Sequence, residues 1–233
     1  MLLLHRFRMK FTGHVCISAI IRFASVAVMM FSSTYCVCAA SENPEDGGTG
    51  NIQAVLADAI TSSAQEALVE GVLNQKVLTQ SVYLSRFYLH RAVSKVGLDN
   101  RLVGLMVPWE DMLKQGLTTC AEEPLNPRSD CHAASAFPPY DFLSTLCGIC
   151  PAEPRFKSVR IAPSLGTLKW IQGAMPHPDG EIAVDMRRSK LGVLRAKIVL
   201  PPELSGVFVW QAKTYPIQSG RQDFAIGTEL DST

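Results

Sequence analysis

The spacing of apolar residues changes near Pro151, and this change constrains the fold more than any other feature of the sequence. Between Asn51 and Gly148, apolar residues recur at intervals of three and four, as on one face of an α-helix. After Pro151, apolar and polar residues alternate, as along a strand with one buried face. The sequence therefore predicts helices over residues 51–150 and a sheet domain over residues 151–233.

Start and stop signals divide the first part into about five helices. The first begins behind the cap Asn51, and the second follows the capping-box match Ser63–Glu66. The third spans about Thr79 to Val96. The fourth runs from Asp99 or Asn100 to Gln115 with a kink or restart at Pro108, and the fifth runs from about Ser135 or Tyr140 to Leu146 and ends at Gly148. Apolar residues cover most of the circumference of the third helix, so we expect it to be buried nearly all round.

Short alternating segments follow, separated by turn sequences such as Pro178-Asp179-Gly180 and Pro201-Pro202. They are centred on Val159, Trp170, Val184, Ala196, Val207 and Phe224. Regularly spaced short strands of this kind predict an antiparallel β-sandwich. The expected fold class is α+β with more than one domain.

The first 40 residues differ from the rest. Arg6, Arg8 and Lys10 precede an apolar run, and small residues at Ala39 and Ala40 follow it. This pattern predicts a signal peptide over residues 1–40 and a secreted or periplasmic protein, with a polar linker over residues 41–50. A single-pass membrane anchor is the alternative. The net charge of +1, with no basic stripe after residue 50, argues against a nucleic-acid partner.

Four cysteines lie beyond the leader: Cys120, Cys131, Cys147 and Cys150. A redox motif needs its thiolate at a helix N-terminus, whereas Cys147-Gly148-Ile149-Cys150 follows the end of a predicted helix. A zinc site would need a second close pair, which Cys120 and Cys131 do not form. We therefore expect no metal and no cofactor. Buried thiols or one disulfide remain open.

The segment from Gly116 to Ala133 concentrates polar side chains between two predicted helices. It holds Thr118, Thr119, Glu122, Glu123, Arg128, Asp130 and His132. Polar groups on a loop that a rigid scaffold holds in place are typical of a binding or catalytic site. A solvated connecting loop is the alternative.

Several of these motifs resemble, in order, the C-terminal end of bacterial α-L-rhamnosidases of the six-hairpin glycosidase type. They are Leu78-Thr79-Gln80, Arg86-Phe87-Tyr88-Leu89, Pro108-Trp109, Gly116-Leu117-Thr118-Thr119 with Glu122, Arg128-Ser129-Asp130-Cys131-His132-Ala133, Arg160-Ile161-Ala162-Pro163 and Pro176-His177-Pro178. The resemblance covers about residues 51–228. It implies the last helices of an (α/α)₆ barrel, a C-terminal β-sandwich domain, and inverting hydrolysis of terminal α-L-rhamnosyl residues in a carbohydrate.

The resemblance also implies residue roles. Glu122 occupies the position of the general base, and His132 contacts the sugar, with Arg128 and Asp130 beside it in substrate binding. Cys120 and Ala134 stand where relatives usually carry an aromatic residue, which weakens the implied pocket.

The general acid of the family lies in earlier barrel helices, which nothing in residues 1–50 resembles. We therefore expect this chain to be a fragment that is inactive alone. Besides the carbohydrate, its candidate partner is the missing barrel part, encoded separately. A secreted non-catalytic module that binds carbohydrate or protein is the second hypothesis.

Overall fold

The computed structural model describes residues 9–10, 16–17, 47–74, 83–123 and 127–227. Most of the predicted leader and the segment 78–80 lie outside these residues, so the signal peptide and the anchor stay predictions. Within the described ranges, no helix is long and apolar enough to cross a membrane.

The chain divides into a helical unit that ends at Pro139 and a sheet unit that begins at Tyr140. Two short antiparallel strands, β1 (Met9–Lys10) and β2 (Cys16–Ile17), group with the sheet unit. The domain boundaries predicted at residues 40, 50 and 150 stay predictions.

Five helices form the helical unit. They are α1 (Gly47–Leu56), α2 (Ser62–Leu73), α3 (Tyr83–Lys95), α4 (Leu102–Leu105) and α5 (Val107–Lys114), with 3₁₀ turns at Asp99–Arg101 and Ala133–Ser135. A short helix, α6 (Pro138–Asp141), follows at the division between the two units.

Several expectations for these helices were wrong. Helix α1 begins at Gly47 and not behind the predicted cap Asn51. The start of α2 is preceded by Thr61, and no side-chain hydrogen bond caps it, so the predicted capping box at Ser63–Glu66 does not form. Helix α3 buries residues such as Leu89 and Val93, but Leu84 and Tyr88 are exposed. The positions of polar residues in α3 do not predict which side of the helix is exposed, because Arg86 and His90 are themselves buried.

The predicted interruption near Pro108 separates α4 from α5. The helical pattern breaks at Met106, and Pro108 lies in the first turn of α5, where a missing backbone N–H costs no helical hydrogen bond. Trp109 and Met112 are buried, whereas Leu113, predicted to pack, is exposed. Gly116 adopts φ +79° just after α5 and ends the helix, as expected.

A π-helical turn at Phe142–Leu146 leads into eight strands. They are β3 (Ile149–Pro151), β4 (Ser158–Ile161), β5 (Trp170–His177), β6 (Gly180–Arg188), β7 (Leu194–Leu200), β8 (Ser205–Trp210), β9 (Lys213–Ile217) and β10 (Gly220–Ile226). Sequence reasoning missed β3 and β9, which carry Pro151 and Pro216 and lie at sheet edges, where proline is tolerated.

The strands form two four-stranded sheets, ordered β10-β7-β6-β5 and β3-β4-β8-β9. All pairs are antiparallel except β4 with β8. The two sheets meet through aromatic rings, with 5.1 Å between the centroids of Phe208 on β8 and Phe224 on β10. The predicted fold class, α+β with a C-terminal sandwich, is confirmed.

Two glycines permit close backbone approaches in the sheet unit. A Cβ at Gly206 would lie 1.8 Å from the carbonyl oxygen of Val159, its partner across the parallel pair of β4 and β8. Gly148 has φ +70°, and a Cβ there would lie 2.1 Å from the carbonyl carbon of Ala162. Neither approach leaves room for a side chain.

Gly206→Ala should destabilise the sheet unit by roughly 2–3 kcal/mol, because the added methyl group must push β4 and β8 apart. Urea denaturation of the full chain, followed by tryptophan fluorescence, measures the change. Ser205→Ala alters the exposed neighbouring residue and should change stability by less than about 0.5 kcal/mol. Equal effects of the two substitutions would show that the close approach carries no energetic weight.

A fragment of residues 140–233 should unfold cooperatively, whereas a fragment of residues 152–233 should be less stable. The shorter fragment lacks β3, which pairs with β4 along Ile149 to Pro151, and so exposes the buried residues Val159 and Ile161. Thermal denaturation by circular dichroism compares the two. A longer fragment that melts at the same temperature as the shorter one would place the domain boundary at the predicted position near residue 151.

Candidate active site

The polar loop between α5 and the Ala133–Ser135 turn folds back on itself. The N–H of Glu122 donates to the Ser129 carbonyl oxygen at 2.9 Å, and the N–H of His132 donates to the Cys120 carbonyl oxygen at 2.8 Å. The Thr119 hydroxyl donates to the carbonyl oxygen of Asp130. These bonds join the segment 119–122 to the segment 129–132, so residues far apart in the loop become neighbours.

Buried groups of the helical unit anchor the second limb of the loop. The indole Nε1 of Trp109 donates to the Ser135 carbonyl oxygen at 2.8 Å, and the Ser135 hydroxyl donates to the His132 carbonyl oxygen at 2.8 Å. Trp109 itself packs against Phe137, with 4.9 Å between ring centroids, and against Tyr83, with 5.1 Å. The backbone of His132 is thus tied to the aromatic core.

The carboxylate of Glu122 is held by the guanidinium of Arg128. Nε of Arg128 donates to Oε2 at 3.1 Å, and Nη2 donates to Oε1. The side chain of Glu122 is only 10% exposed, whereas that of Arg128 is 82% exposed. A desolvated carboxylate is therefore paired with a cation that keeps most of its contact with solvent.

This pairing lowers the pKa of the Glu122 carboxyl, chiefly through the hydrogen bond from Arg128, against the opposing effect of burial. The charge of Arg128 and the proximity of His132 lower the pKa further. Glu122 is consequently ionised at neutral pH and is able to accept a proton.

The structure brings three of the four predicted site residues together. Glu122 contacts Arg128 directly, and the hydrogen bonds across the loop place His132 on the limb opposite Glu122. The side chain of Asp130 is exposed, and its backbone carbonyl, not its carboxylate, takes part in closing the loop. Glu122 chiefly raises the pKa of the Arg128 guanidinium, and the half-buried Glu123 contributes in the same direction.

Sequence reasoning missed His90, which lies in the aromatic cluster beneath the loop. Its ring centroid is 5.1 Å from that of Phe137 and 6.0 Å from that of Trp109. Burial, with the nearby charges of Arg91 and Arg86, lowers the pKa of His90 to about 3, so the imidazole is neutral at neutral pH. Its spacing from Arg86 on α3 gives no sequence signal for this placement, because two basic residues four apart on a helix face are an unfavourable pair.

The four cysteines beyond the predicted leader are free thiols. Cys147 is fully buried, and burial raises its pKa to about 12, whereas Cys131 is exposed. Over the described part of the chain, no three His, Cys, Asp or Glu side chains are grouped so as to hold a metal ion.

Arg128→Gln should raise the pKa of the Glu122 carboxyl toward its ordinary value, because the substitution removes the hydrogen bonds to the carboxylate and the neighbouring positive charge. A pH titration of the ¹³C-labelled glutamate carboxyl by NMR measures this. Arg101→Gln removes an exposed charge elsewhere in the helical unit and should leave the pKa unchanged. The depressed pKa stabilises the fold at neutral pH, and this contribution is lost as the pH falls through the folded-state value. An unchanged pKa in Arg128→Gln would mean that the pair does not form.

Comparison with known proteins agrees with this architecture. Residues 148–221 match the family model of the bacterial alpha-L-rhamnosidase C-terminal domain. Comparison with curated proteins gave no match.

Three solved structures share the fold. An alpha-L-rhamnosidase from Aspergillus terreus aligns with a TM-score of 0.67 at 17% identity, over 77% of this chain and 24% of that one. The Streptomyces avermitilis alpha-L-rhamnosidase complexed with L-rhamnose gives 0.66 at 12% identity, over 78% and 22%. The GH78 family rhamnosidase of Bacillus sp. GL1 gives 0.58 at 26% identity, over 69% and 19%. The chain thus spans about a quarter or less of the length of these structures.

Proposed function

We propose that this chain supplies the general-base side of an inverting α-L-rhamnosidase, because its residues 148–221 match the bacterial alpha-L-rhamnosidase C-terminal domain. The substrate class is a carbohydrate with a terminal α-L-rhamnosyl residue. The observation that carries the proposal is the Glu122 carboxylate, which is nearly buried, ionised and fixed on the polar loop by Arg128.

In this proposal Glu122 takes a proton from a water molecule as the water attacks the anomeric carbon of the rhamnosyl residue. An inverting glycosidase needs a base carboxylate and a general acid roughly 6.5–9.5 Å apart, with the water between the base and the sugar. The carboxylate is in the ionised form that a general base requires, and the lowered pKa makes it a weaker base, so Arg128 must shift from it as the proton is accepted. Electrons of the glycosidic bond leave with the aglycone oxygen, which receives a proton from the general acid.

Arg128, His132 and Asp130 are proposed to bind the sugar around this base. The guanidinium of Arg128 already spans both oxygens of Glu122, and its 82% exposure leaves its remaining N–H groups open to sugar hydroxyls. His132 is half-buried beside Glu122, and its imidazole offers one donor and one acceptor. The exposed carboxylate of Asp130 is an acceptor at the rim.

The general acid is proposed to come from the remainder of an (α/α)₆ barrel, since this chain spans about a quarter of the length of its structural relatives. The chain alone is then inactive toward aryl α-L-rhamnosides. The missing barrel part, encoded separately, would be its partner, and the exposed residues Leu84, Tyr88 and Leu113 provide apolar surface for further helices. We place the assembled protein outside the cytoplasm, as the leader predicts.

The second candidate, a secreted module that binds carbohydrate or protein without catalysis, is favoured by the same short coverage of the relatives. The two hypotheses differ in whether Glu122 takes part in turnover once the barrel is complete.

Glu122→Gln should lower kcat and kcat/KM together by at least about 100-fold when residues 116–133 replace the corresponding loop of a complete α-L-rhamnosidase. The amide keeps the shape of the side chain but cannot accept the proton. Steady-state hydrolysis of an aryl α-L-rhamnoside provides the measurement, and Glu123→Gln is the matched control, expected to leave both constants nearly unchanged. A large effect only in Glu123→Gln would move the role to that residue, and two mild effects would favour the non-catalytic module.

A further inference from the structure

The sheet β10-β7-β6-β5 buries one face and presents the other to solvent. On β6 and β7, Ile182, Val184 and Ile198 face inward and are fully or almost fully buried. The alternate residues face outward and are mostly polar or charged. Among them are Gln172, Asp185, Arg187, Arg195 and Lys197. The proposed catalytic function uses none of this outer face.

Three outward residues lie in one row across neighbouring strands. Trp170 on β5 is directly opposite Arg187 on β6, and Arg187 is directly opposite Arg195 on β7. Neighbouring strands are about 4.8 Å apart, so the row is roughly 10 Å long. This length suits one or two sugar rings.

Two arginines directly opposite each other are unfavourable in an isolated sheet, because like charges repel at this short separation. Asp185 offsets only one of them, with 3.3 Å between its Oδ1 and the Nε of Arg187. Within the described residues, Arg195 makes no ion pair and no side-chain hydrogen bond. Arg195 therefore has unmatched capacity for an anion, Arg187 keeps N–H groups beyond the one paired with Asp185, and local repulsion of this kind is expected where a site serves binding.

Trp170 adds an aromatic surface at the end of the row. It is half-buried, and Cζ of Arg187 lies 6.0 Å from its ring centroid, at the outer limit of a cation–π contact. Part of the indole is therefore open to solvent, and Arg187 is only loosely associated with its face.

We propose that the row of Trp170, Arg187 and Arg195 binds a carboxylated sugar. The apolar C–H face of the pyranose ring packs on the indole, and the carboxylate is bound between the two guanidinium groups by charge-assisted hydrogen bonds. Gln172 and Asp185 lie beside the row and supply hydrogen-bonding groups for ring hydroxyls.

The positive charges of Arg187 and Arg195 favour an acidic sugar over other classes of ligand. A neutral sugar would leave the guanidinium of Arg195 without a counter-charge. A nucleic acid would need a continuous basic track, and the carboxylates of Asp185 and Asp223 on the same face interrupt it. This proposal rests on the sheet unit alone, so it stands or fails separately from the proposed catalytic role of Glu122.

Isothermal titration calorimetry of the full chain tests the site with a 1,4-linked hexuronic acid tetramer as the probe and a neutral 1,4-linked hexose tetramer as the comparison. We expect binding of the acidic probe only, weakening with added salt. Arg187→Gln and Arg195→Gln should each weaken it by about 10-fold or more, the size of one lost charge-assisted hydrogen bond. Trp170→Ala should weaken it similarly, and Trp170→Phe less.

Arg160→Gln is the matched control, because Arg160 is an exposed arginine on β4 in the other sheet. It should leave binding unchanged. If Arg160→Gln weakens binding of the acidic tetramer as much as the row variants do, the affinity depends only on the net charge of the protein, and the proposed site is wrong. Equal binding of the neutral tetramer, or no binding of the acidic one at about 10 mM, would also overturn the site. Circular dichroism checks that each exposed-residue variant remains folded, and Arg187→Lys with Arg195→Lys, which keep the charge, should retain part of the affinity.

Discussion

The paired limbs of the loop after α5 determine where every group of the candidate active site lies. Hydrogen bonds from the N–H groups of Glu122 and His132 cross the loop, and the Ser135 hydroxyl and the Trp109 indole continue the connection into the aromatic core. Loops usually carry function only when a rigid scaffold positions them. Here the scaffold reaches the loop through backbone groups, so the positions of the site residues depend little on the identity of their own side chains.

A fixed backbone leaves the Glu122 carboxylate nearly buried, and a desolvated carboxylate without a partner is costly. Arg128 resolves this by binding both oxygens while remaining largely in solvent. The same contact that makes the carboxylate tolerable in the fold also lowers its pKa and keeps it ionised. The contact of Arg128 with Glu122 therefore serves both the stability of the fold and the proposed role of Glu122 as a base.

The sheet unit follows a different constraint, the close approach of its strands and the burial of one face of each sheet. Gly206 lets β4 and β8 pair in parallel at a separation that no side chain would permit. Once the inner faces are buried, the side chains of the outer face are free of packing requirements. The opposed pair Arg187 and Arg195 persists there without contributing to the core, which is why a binding role accounts for it better than stability does.

Hydrophobic period, with glycine, proline and turn residues as boundaries, predicted most of the helices, most of the strands and the order of the two parts, because burial of one face repeats every 3.6 or 2 residues along the chain. Local composition also located the polar loop, and the stop at Gly116 followed from the freedom of glycine to adopt φ +79°. Tertiary structure decided the rest. The edge strand around Pro216, the exposed side of α3, the contact of Arg128 with Glu122 and the opposition of Arg187 and Arg195 all depend on which segments meet in space. Local periodicity does not encode such pairing, since a partner strand or a counter-charge is supplied by a distant or folded-back part of the chain.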